Sequence, residues 1–363
     1  MRLSDPEYRL KLSLDELFQA MTPARPTIRR RPRSNAATIY VCAPYRPDAH
    51  RSPELSSLRA VFSTSESRRV LNASGPMFRS DVDAETPPDS FKYRDPWDLP
   101  RTGSFRKSSL EAISDAAYVL AIVSGLSPGV AYEVGYAMGK GKPIGLLWAQ
   151  RQGQAEQPFH PELLPNALLK QHIVVFDDTN LPEAFEGLHT QLVSQRGRRR
   201  CPKCDEDVEC EYLQEISAEK RASTARNVLA VFQPAHHQQF QAMNSAVEET
   251  GYRVLTIGDG PRNEGNLCRL CYLLRCADRV IVDVTASPSS TGSALSESAP
   301  DKQPMFVAGM ARALGRDTLH VYDGRAAQQA MIEGELGYWT SNYETELRDR
   351  WLDFTNASRE TRK

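Results

Sequence analysis

The stretch YVLAIVSGLSPGVAYEVGYAMGKGKPIGLLW, residues 118–148, decides the fold because it contains two apolar runs with a helix-like segment between them. The runs at 118–123 and 144–148 are continuously apolar, which is typical of strands buried on both faces of a parallel sheet. Ser127 followed by proline is typical of a helix N-cap and first turn, and Pro143 marks the other end of that helix. The stretch therefore predicts a strand–helix–strand unit.

The same alternation recurs along the chain. Further strand candidates are residues 38–44, 172–176, 227–232, 252–257 and 279–284, and further helix candidates are residues 237–250 and 264–276. Alternating strands and helices predict an α/β fold with parallel sheets covered on both faces. Ligands of such sheets bind at the carboxyl ends of the strands.

The bulk composition limits the class of protein. A length of 363 residues favours about two domains, and 40% hydrophobic with 25% charged residues is ordinary for a globular protein. The chain has no apolar run long enough for a bilayer and no secretory signal at its start. Seven cysteines, an odd number, fit a reducing compartment. We expect a cytoplasmic protein with no membrane partner.

Changes in composition divide the chain into five segments. They are an N-terminal helix with an Arg/Pro-rich linker (1–35), a first α/β domain (36–195), a basic and Cys-rich linker (196–222), a second α/β domain (223–330) and a C-terminal helical segment (331–363). The first segment is either a helix docked on its own domain or a partner-binding helix. With a net charge of −1, the basic run at 196–200 is better explained as solvated linker than as a nucleic-acid site.

Two blocks of the chain align with each other. GYAMGKGKPI and GMARALGRDT can be placed in one register, which pairs Gly135 with Gly309, Gly141 with Gly315 and Lys142 with Arg316. This register predicts an internal duplication. It also pairs Glu133 with Val307, so that the second copy lacks the carboxylate of the first.

The order of TIYVCAPY, AISDAAYVLAIV and SPGVAYEVGYAMGKGKPI resembles the nucleoside 2-deoxyribosyltransferase-like superfamily, which includes nucleotide N-glycoside hydrolases. The resemblance covers about residues 38–150 and is weaker over 227–323. It implies two flavodoxin/Rossmann-like parallel-sheet domains in tandem, the second degenerate, with a short helical N-terminal appendage. It also implies cleavage or transfer across the N-glycosidic bond of a nucleoside or nucleotide, with Glu133 as the nucleophile that attacks the sugar C1′. The alternative is a buried glutamate in a structural hydrogen bond.

The resemblance also implies roles for other side chains. Asp115 would hold and protonate the leaving base, and its alternative is an ordinary helix-terminal aspartate. Gly129 and Gly135 would leave room for a sugar beside Glu133. Transferases of this family often have an aspartate where this chain has Ser127, whose hydroxyl favours a phosphate or a ribose. The substrate-binding candidates are Tyr45, Ser127, Gly129, Tyr132, Asp95, Trp97 and Asp98. The two tyrosines have a simpler alternative as core or pocket-wall aromatics.

A cysteine cluster lies in the linker between the two domains. Cys201 and Cys204 form a CPxC knuckle, and Cys210 is a third candidate ligand of a structural zinc. Candidates for the fourth ligand are His189, Cys268 and Cys271. The cysteines at 268–276 lie in an apolar helical stretch, where small hydrophobic packing is the alternative. No cofactor is expected for catalysis.

The sequence is also compatible with two further functions. One is an NAD-cleaving glycohydrolase that acts as a defence effector, because breaking the nicotinamide–ribose bond also needs a lone glutamate. The other is a non-catalytic nucleotide-sensing or assembly module. The expected partners are a nucleoside, a nucleotide or NAD, together with a second copy of the chain or a partner protein, because this family commonly completes its sites across subunit interfaces.

Overall fold

The computed structural model describes the chain in segments. These are residues 36–43, 55–56, 58, 90–94, 96–99, 105–123, 127–149, 173–176, 184, 226–256, 266–287, 299–300, 302–324, 335–340 and 342–360. They form two five-stranded sheets, in each of which all neighbouring strands are parallel. The predicted parallel α/β fold with two sheets is confirmed. Within these segments, no helix combines the length and the apolar character needed to cross a membrane.

The described residues of the first half form five strands and two helices. Their bounds are β1 Ala36–Cys42, β2 Ser90–Arg94, α1 Phe105–Asp115, β3 Tyr118–Ile122, α2 Pro128–Gly139, β4 Ile144–Ala149 and β5 Ile173–Phe176. The strands pair in the order β2-β1-β3-β4-β5. The strand–helix–strand unit predicted over residues 118–148 is confirmed as β3–α2–β4.

In the second half, the part of the chain that the structure describes forms the other sheet and four helices. Their bounds are β6 Arg226–Val231, α3 His237–Glu249, β7 Tyr252–Leu255, α4 Asn266–Cys276, β8 Arg279–Asp283, α5 Lys302–Ala313, β11 Asp317–Asp323, β12 Glu335–Trp339 and α6 Tyr343–Glu360. Between β8 and α5, the two-residue strands β9 (Ala286–Ser287) and β10 (Ala299–Pro300) pair with each other in antiparallel. The large sheet has the order β7-β6-β8-β11-β12.

Two segments differ from the sequence prediction. Residues 90–94 were not among the predicted strands, but they form the edge strand β2, which pairs with β1. Residues 331–363 were expected to be helical, but β12 lies within them and pairs with β11, so the second sheet continues beyond residue 330. Both strands lie at sheet edges and lack a continuous apolar run, the signal by which the central strands were identified.

Helices α2 and α5 pack against each other and join the two halves. Buried side chains from both sheets belong to one apolar cluster. A Cβ atom added to Gly135 would lie 2.1 Å from the carbonyl oxygen of Phe306, and one added to Gly309 would lie 2.0 Å from the carbonyl oxygen of Tyr132. Gly309 lies three positions after Phe306, and Gly135 lies three positions after Tyr132, so the contact is symmetric. Only glycine allows the two backbones to approach so closely.

The segments that follow α2 and α5 also correspond. Gly141 and Gly315 both have the left-handed backbone conformation, with φ of 65° and 67°. The Lys142 ammonium donates to two backbone carbonyls at the carboxyl end of α1, at 2.5 and 2.8 Å. Arg316 Nη2 donates to the carbonyl of Arg275 in α4, at 3.0 Å. Residues paired by the sequence register thus have matching structural roles in the two halves.

Candidate active site

Helix α2 presents Glu133 close to its amino end. The Ser127 side chain accepts a hydrogen bond from the Val130 amide at 3.2 Å, and Pro128 occupies the first turn, as predicted. This cap fixes where the helix starts. Glu133 lies in the second turn with 7% of its surface exposed. Ser127, which was predicted to bind substrate, therefore has a structural role as the N-cap of α2.

The Glu133 carboxylate faces the end of strand β1. Cys42, the last residue of β1, pairs with Ala121 on β3 and is buried. Burial is the largest cause that raises the pKa of the Cys42 thiol, followed by the negative charge of Glu133 and a hydrogen bond to its carboxylate. A thiol with a raised pKa stays protonated at neutral pH and acts as a hydrogen-bond donor.

The carboxyl end of β1 lies at the point where the strand order reverses, which is here called the switch point. Strand β1 has β2 on one side and β3 on the other, so the connections leave it in opposite directions. In open α/β sheets, ligands bind in the crevice that forms at such a point, outside the carboxyl ends of the strands. A carboxylate there can attack an electrophilic carbon or accept hydrogen bonds from a ligand's hydroxyl groups.

The structure does not bring Asp115 to Glu133. Asp115 is exposed at the end of α1, just before β3 begins, and therefore lies at the amino edge of the sheet. Its charge acts on Lys142, where it opposes the larger effect of burial, which lowers the pKa of the lysine. Strand β3, about 16 Å long, separates the two edges. The predicted role of Asp115 as proton donor to the leaving base does not fit this position.

Two other predicted residues fill different places in the first half. Tyr132 is fully buried in the core shared by the two halves, which fits its alternative as a core aromatic. The room predicted beside Gly135 is occupied by the backbone of α5, so this glycine serves the helix crossing and leaves no space for a sugar. The prediction was wrong because a small residue in a helix looks the same in the sequence whether it makes room for a ligand or for a neighbouring helix.

The remaining substrate candidates are only partly described. Gly129 lies half-buried in the first turn of α2. Trp97 and Asp98 belong to a 3-10 turn that follows β2, and Asp98 is exposed. Tyr45 and Asp95 lie outside the described residues, as do the segments 1–35 and 196–222.

The zinc prediction falls mainly outside the described chain. Cys201, Cys204, Cys210 and His189 are not among the described residues, and for Cys268 only the helix that contains it is described. Cys276 is buried in the apolar core, and Cys271 packs against that core. These two positions fit the alternative in which the cysteines act as small hydrophobic residues.

The second half contains a polar pair that sequence reasoning missed. Asp283, the last residue of β8, is completely buried, and its Oδ2 atom lies 2.6 Å from His236 Nδ1. His236 follows β6, so the pair lies at the switch point of the second sheet, where β6 stands between β7 and β8. The signal that could have identified it is the aspartate within the otherwise apolar run RVIVDV.

Comparison of this sequence with models of known protein families and with curated proteins gives no match. The features of the molecule that bear on function are therefore the two switch points and the side chains that the fold positions there. In the first half the acidic group comes from helix α2, and in the second half it comes from strand β8.

Proposed function

We propose that the first half cleaves the N-glycosidic bond of a nucleoside or nucleotide, with Glu133 as the nucleophile. The observation that carries this proposal is a carboxylate, only 7% exposed, at the switch point of a parallel sheet. Moving a carboxylate out of water costs several kcal/mol. In α5 the corresponding residue is Val307, also buried, so the same helix packing forms without an acid. The cost of burying Glu133 is thus better explained by chemistry than by packing.

The reaction follows the double-displacement scheme of retaining glycosidases. A carboxylate oxygen of Glu133 attacks C1′ on the face opposite the base, the C1′–N bond breaks, and its electron pair leaves with the base. The base takes a proton from water, because Asp115 lies at the other edge of the sheet. Water then attacks C1′ of the glycosyl ester, which releases the sugar and restores the carboxylate. A second base in place of water gives transfer.

Cys42 is a positioning residue in this scheme. Its thiol, kept protonated by its raised pKa, donates to the Glu133 carboxylate and orients it. The same protonation stops the sulfur from competing as a thiolate nucleophile.

The fold supports the tandem arrangement that the sequence suggested. Each sheet has the order 2-1-3-4-5 when its strands are numbered within its own half, and this is the order of flavodoxin-like sheets. Together with the symmetric contact of Gly135 and Gly309, this order supports an internal duplication. The N-terminal helical appendage, a cytoplasmic location and assembly with a second copy or a partner protein stay part of the proposal.

The proposal has one alternative substrate, NAD, and one alternative function, nucleotide sensing. NAD belongs to it directly, because its nicotinamide–ribose bond is also N-glycosidic and needs the same nucleophile. A nucleotide-sensing module is the second candidate, and it is favoured by one observation: the second half keeps a polar pair, His236 and Asp283, while it lacks the nucleophile.

A substrate panel tests the enzyme class. The full chain is incubated with nucleosides, nucleotides and NAD, and the released base is measured by chromatography. We expect release by the wild type, loss of release in Glu133→Gln, and release within about twofold of wild type in Asp115→Asn, which changes a carboxylate at the opposite edge. Release by Glu133→Gln at the wild-type rate would refute the nucleophile. Tight nucleotide binding without any released base would support the sensor instead.

A further inference from the structure

The contact between α2 and α5 encloses Glu133 along the chain. A Cβ atom on Gly309 would strike the carbonyl of Tyr132, the residue directly before Glu133. The same atom would lie 2.9 Å from the amide nitrogen of Tyr136, three positions after Glu133. Both neighbours are backbone atoms, which cannot rotate away as a side chain can. The contact therefore fixes this part of α2 relative to α5.

The position of α2 also determines what the Glu133 carboxylate meets. Helix α2 packs on β1, β3 and β4 of the first sheet, and α5 packs on β8 and β11 of the second. Glu133 is hydrogen-bonded to the thiol of Cys42, and the strand of this cysteine pairs with both β2 and β3. The distance between carboxylate and thiol thus depends on how far α2 stands from β1, and α5 is the element of the second half that holds α2 in place.

The second half has the packing surface of the first half without its polar pair. Strand pairing extends the register of the two halves to β1 and β6, where it matches Cys42 with Val231. The same register matches Glu133 with Val307, so buried valines stand in place of both the thiol and the carboxylate. Gly309 nevertheless allows the close approach to α2. The second half therefore lacks these reactive groups but has the surface that places them.

We propose that Gly309 is a positioning residue of the Glu133 site, and that the second half, through α5, holds the nucleophile at its working distance from Cys42 and from the sugar carbon. This inference rests on the function proposed above. A shift of about 1 Å in a reacting group can lower a rate about a hundredfold. A methyl group on Gly309 forces a shift of this kind, because the atoms that it meets are backbone. The contribution of the second half is then to kcat, through geometry.

Steady-state base release by the full chain tests the effect on the rate. We expect Gly309→Ala to lower kcat about a hundredfold and to leave KM within about threefold, because the change acts on the reacting group and not on the binding of the substrate. The matched control is Leu347→Ala, which truncates a fully buried side chain of α6 in the apolar cluster on the other face of the second sheet. It should lower the free energy of unfolding and leave kcat unchanged, with each variant assayed where it is fully folded. A wild-type kcat in Gly309→Ala, or an equal loss in Leu347→Ala, would overturn the proposal.

A milder variant decides if Gly309→Ala does not fold. A Cβ atom on Gly139 would lie 2.6 Å from the Ala313 methyl group, at the end of α2 that is farther from Glu133. Gly139→Ala should therefore lower kcat by a smaller factor, at least about threefold. The double variant Gly139→Ala/Ala313→Gly should restore kcat, because the nearest obstacle to the new methyl group is removed. An unchanged kcat in Gly139→Ala, or a loss that the double variant does not restore, would overturn the proposal.

The infrared S–H stretch of Cys42 measures the same geometry without any substrate. A thiol that donates a hydrogen bond absorbs at a lower frequency than a free thiol, and Cys42→Ala identifies the band by its loss. We expect the band to move to higher frequency in Gly309→Ala and to keep its position in Leu347→Ala. An unshifted band in Gly309→Ala would overturn the positioning role even where the wild type releases base. A shifted band, in a protein whose wild type releases no base, would support the positioning of Glu133 and refute the reaction, so the two failures are distinguishable.

Discussion

Replacement of Gly135 by alanine perturbs the contact that joins the two halves. The new Cβ atom would lie 2.1 Å from the carbonyl oxygen of Phe306. Ordinary contacts between carbon and a carbonyl oxygen are about 3.3 Å or longer. A backbone carbonyl cannot rotate out of the way as a side chain can, so α2 and α5 must move apart by roughly 1 Å.

The cost follows from the contacts that this movement weakens. A gap of about 0.5–1 Å removes about a quarter to a half of each dispersion contact, and overpacked sites typically lose about 1–3 kcal/mol. The upper end applies here because the obstacle is backbone. Alanine returns about 1 kcal/mol through its higher helix propensity. We expect Gly135→Ala to lower the free energy of unfolding by about 2 kcal/mol.

Urea unfolding followed by circular dichroism measures this loss, and a double-mutant cycle tests its cause. Gly309→Ala should cost about as much, because its Cβ would lie 2.0 Å from the Tyr132 carbonyl oxygen. The double variant should lose less than the sum by about 1–2 kcal/mol, since the helices are already apart. Gly251→Ala is the control: its Cβ meets nothing within 4 Å, so it should cost only about 1–2 kcal/mol of backbone strain and add independently. Additive losses at 135 and 309, or a fully stable Gly135→Ala, would refute the reasoning.

Three further predictions concern the polar groups. Asp283 raises the pKa of His236 above its usual 6.5. The stabilisation by the imidazolium should therefore be complete below pH 6.5 and lost as the pH rises through the raised pKa. Urea unfolding measured as a function of pH should show this loss in the wild type and not in His236→Gln. Thermal unfolding should show that Lys142→Arg keeps wild-type stability, because Arg316 donates to a backbone carbonyl in the same way in the second half. Lys142→Ala should lose about 1–2 kcal/mol. Equal stability of the two variants would contradict the role of the cation. Kinetics of base release should show a lower kcat for Cys42→Ala and a near-normal kcat for Cys42→Ser, because serine keeps a hydrogen-bond donor to Glu133. A wild-type kcat in Cys42→Ala would exclude the positioning role of Cys42.

Much of the fold could be predicted from local patterns. The strands at the centre of each sheet are apolar on both faces, so β3, β4 and β8 are visible as continuous runs. The edge strands β2 and β12 contain charged residues or glycine and gain their order from pairing with a neighbour, which no local pattern reports. Strand order is likewise a property of long-range pairing.

The candidate site could be predicted only where one residue identifies it. Glu133 was found because it is a carboxylate among small and apolar residues. Asp115 was grouped with it through the family resemblance, but a helix that precedes a strand ends at the amino edge of the sheet, whereas the helix that follows the strand starts at the carboxyl edge. Gly135 was assigned to a sugar because the sequence does not show that α5 fills the space. His236 and Asp283 are 47 positions apart, and the fold alone brings them together.

The most direct test of the account is to look for the glycosyl ester on Glu133. The full chain is mixed with the panel substrate that releases base, quenched in acid during turnover, digested and examined by mass spectrometry. The account predicts a peptide that contains Glu133 and carries the mass of the sugar, and no such adduct in Glu133→Gln. Base release without an adduct, continuing in Glu133→Gln, would contradict it.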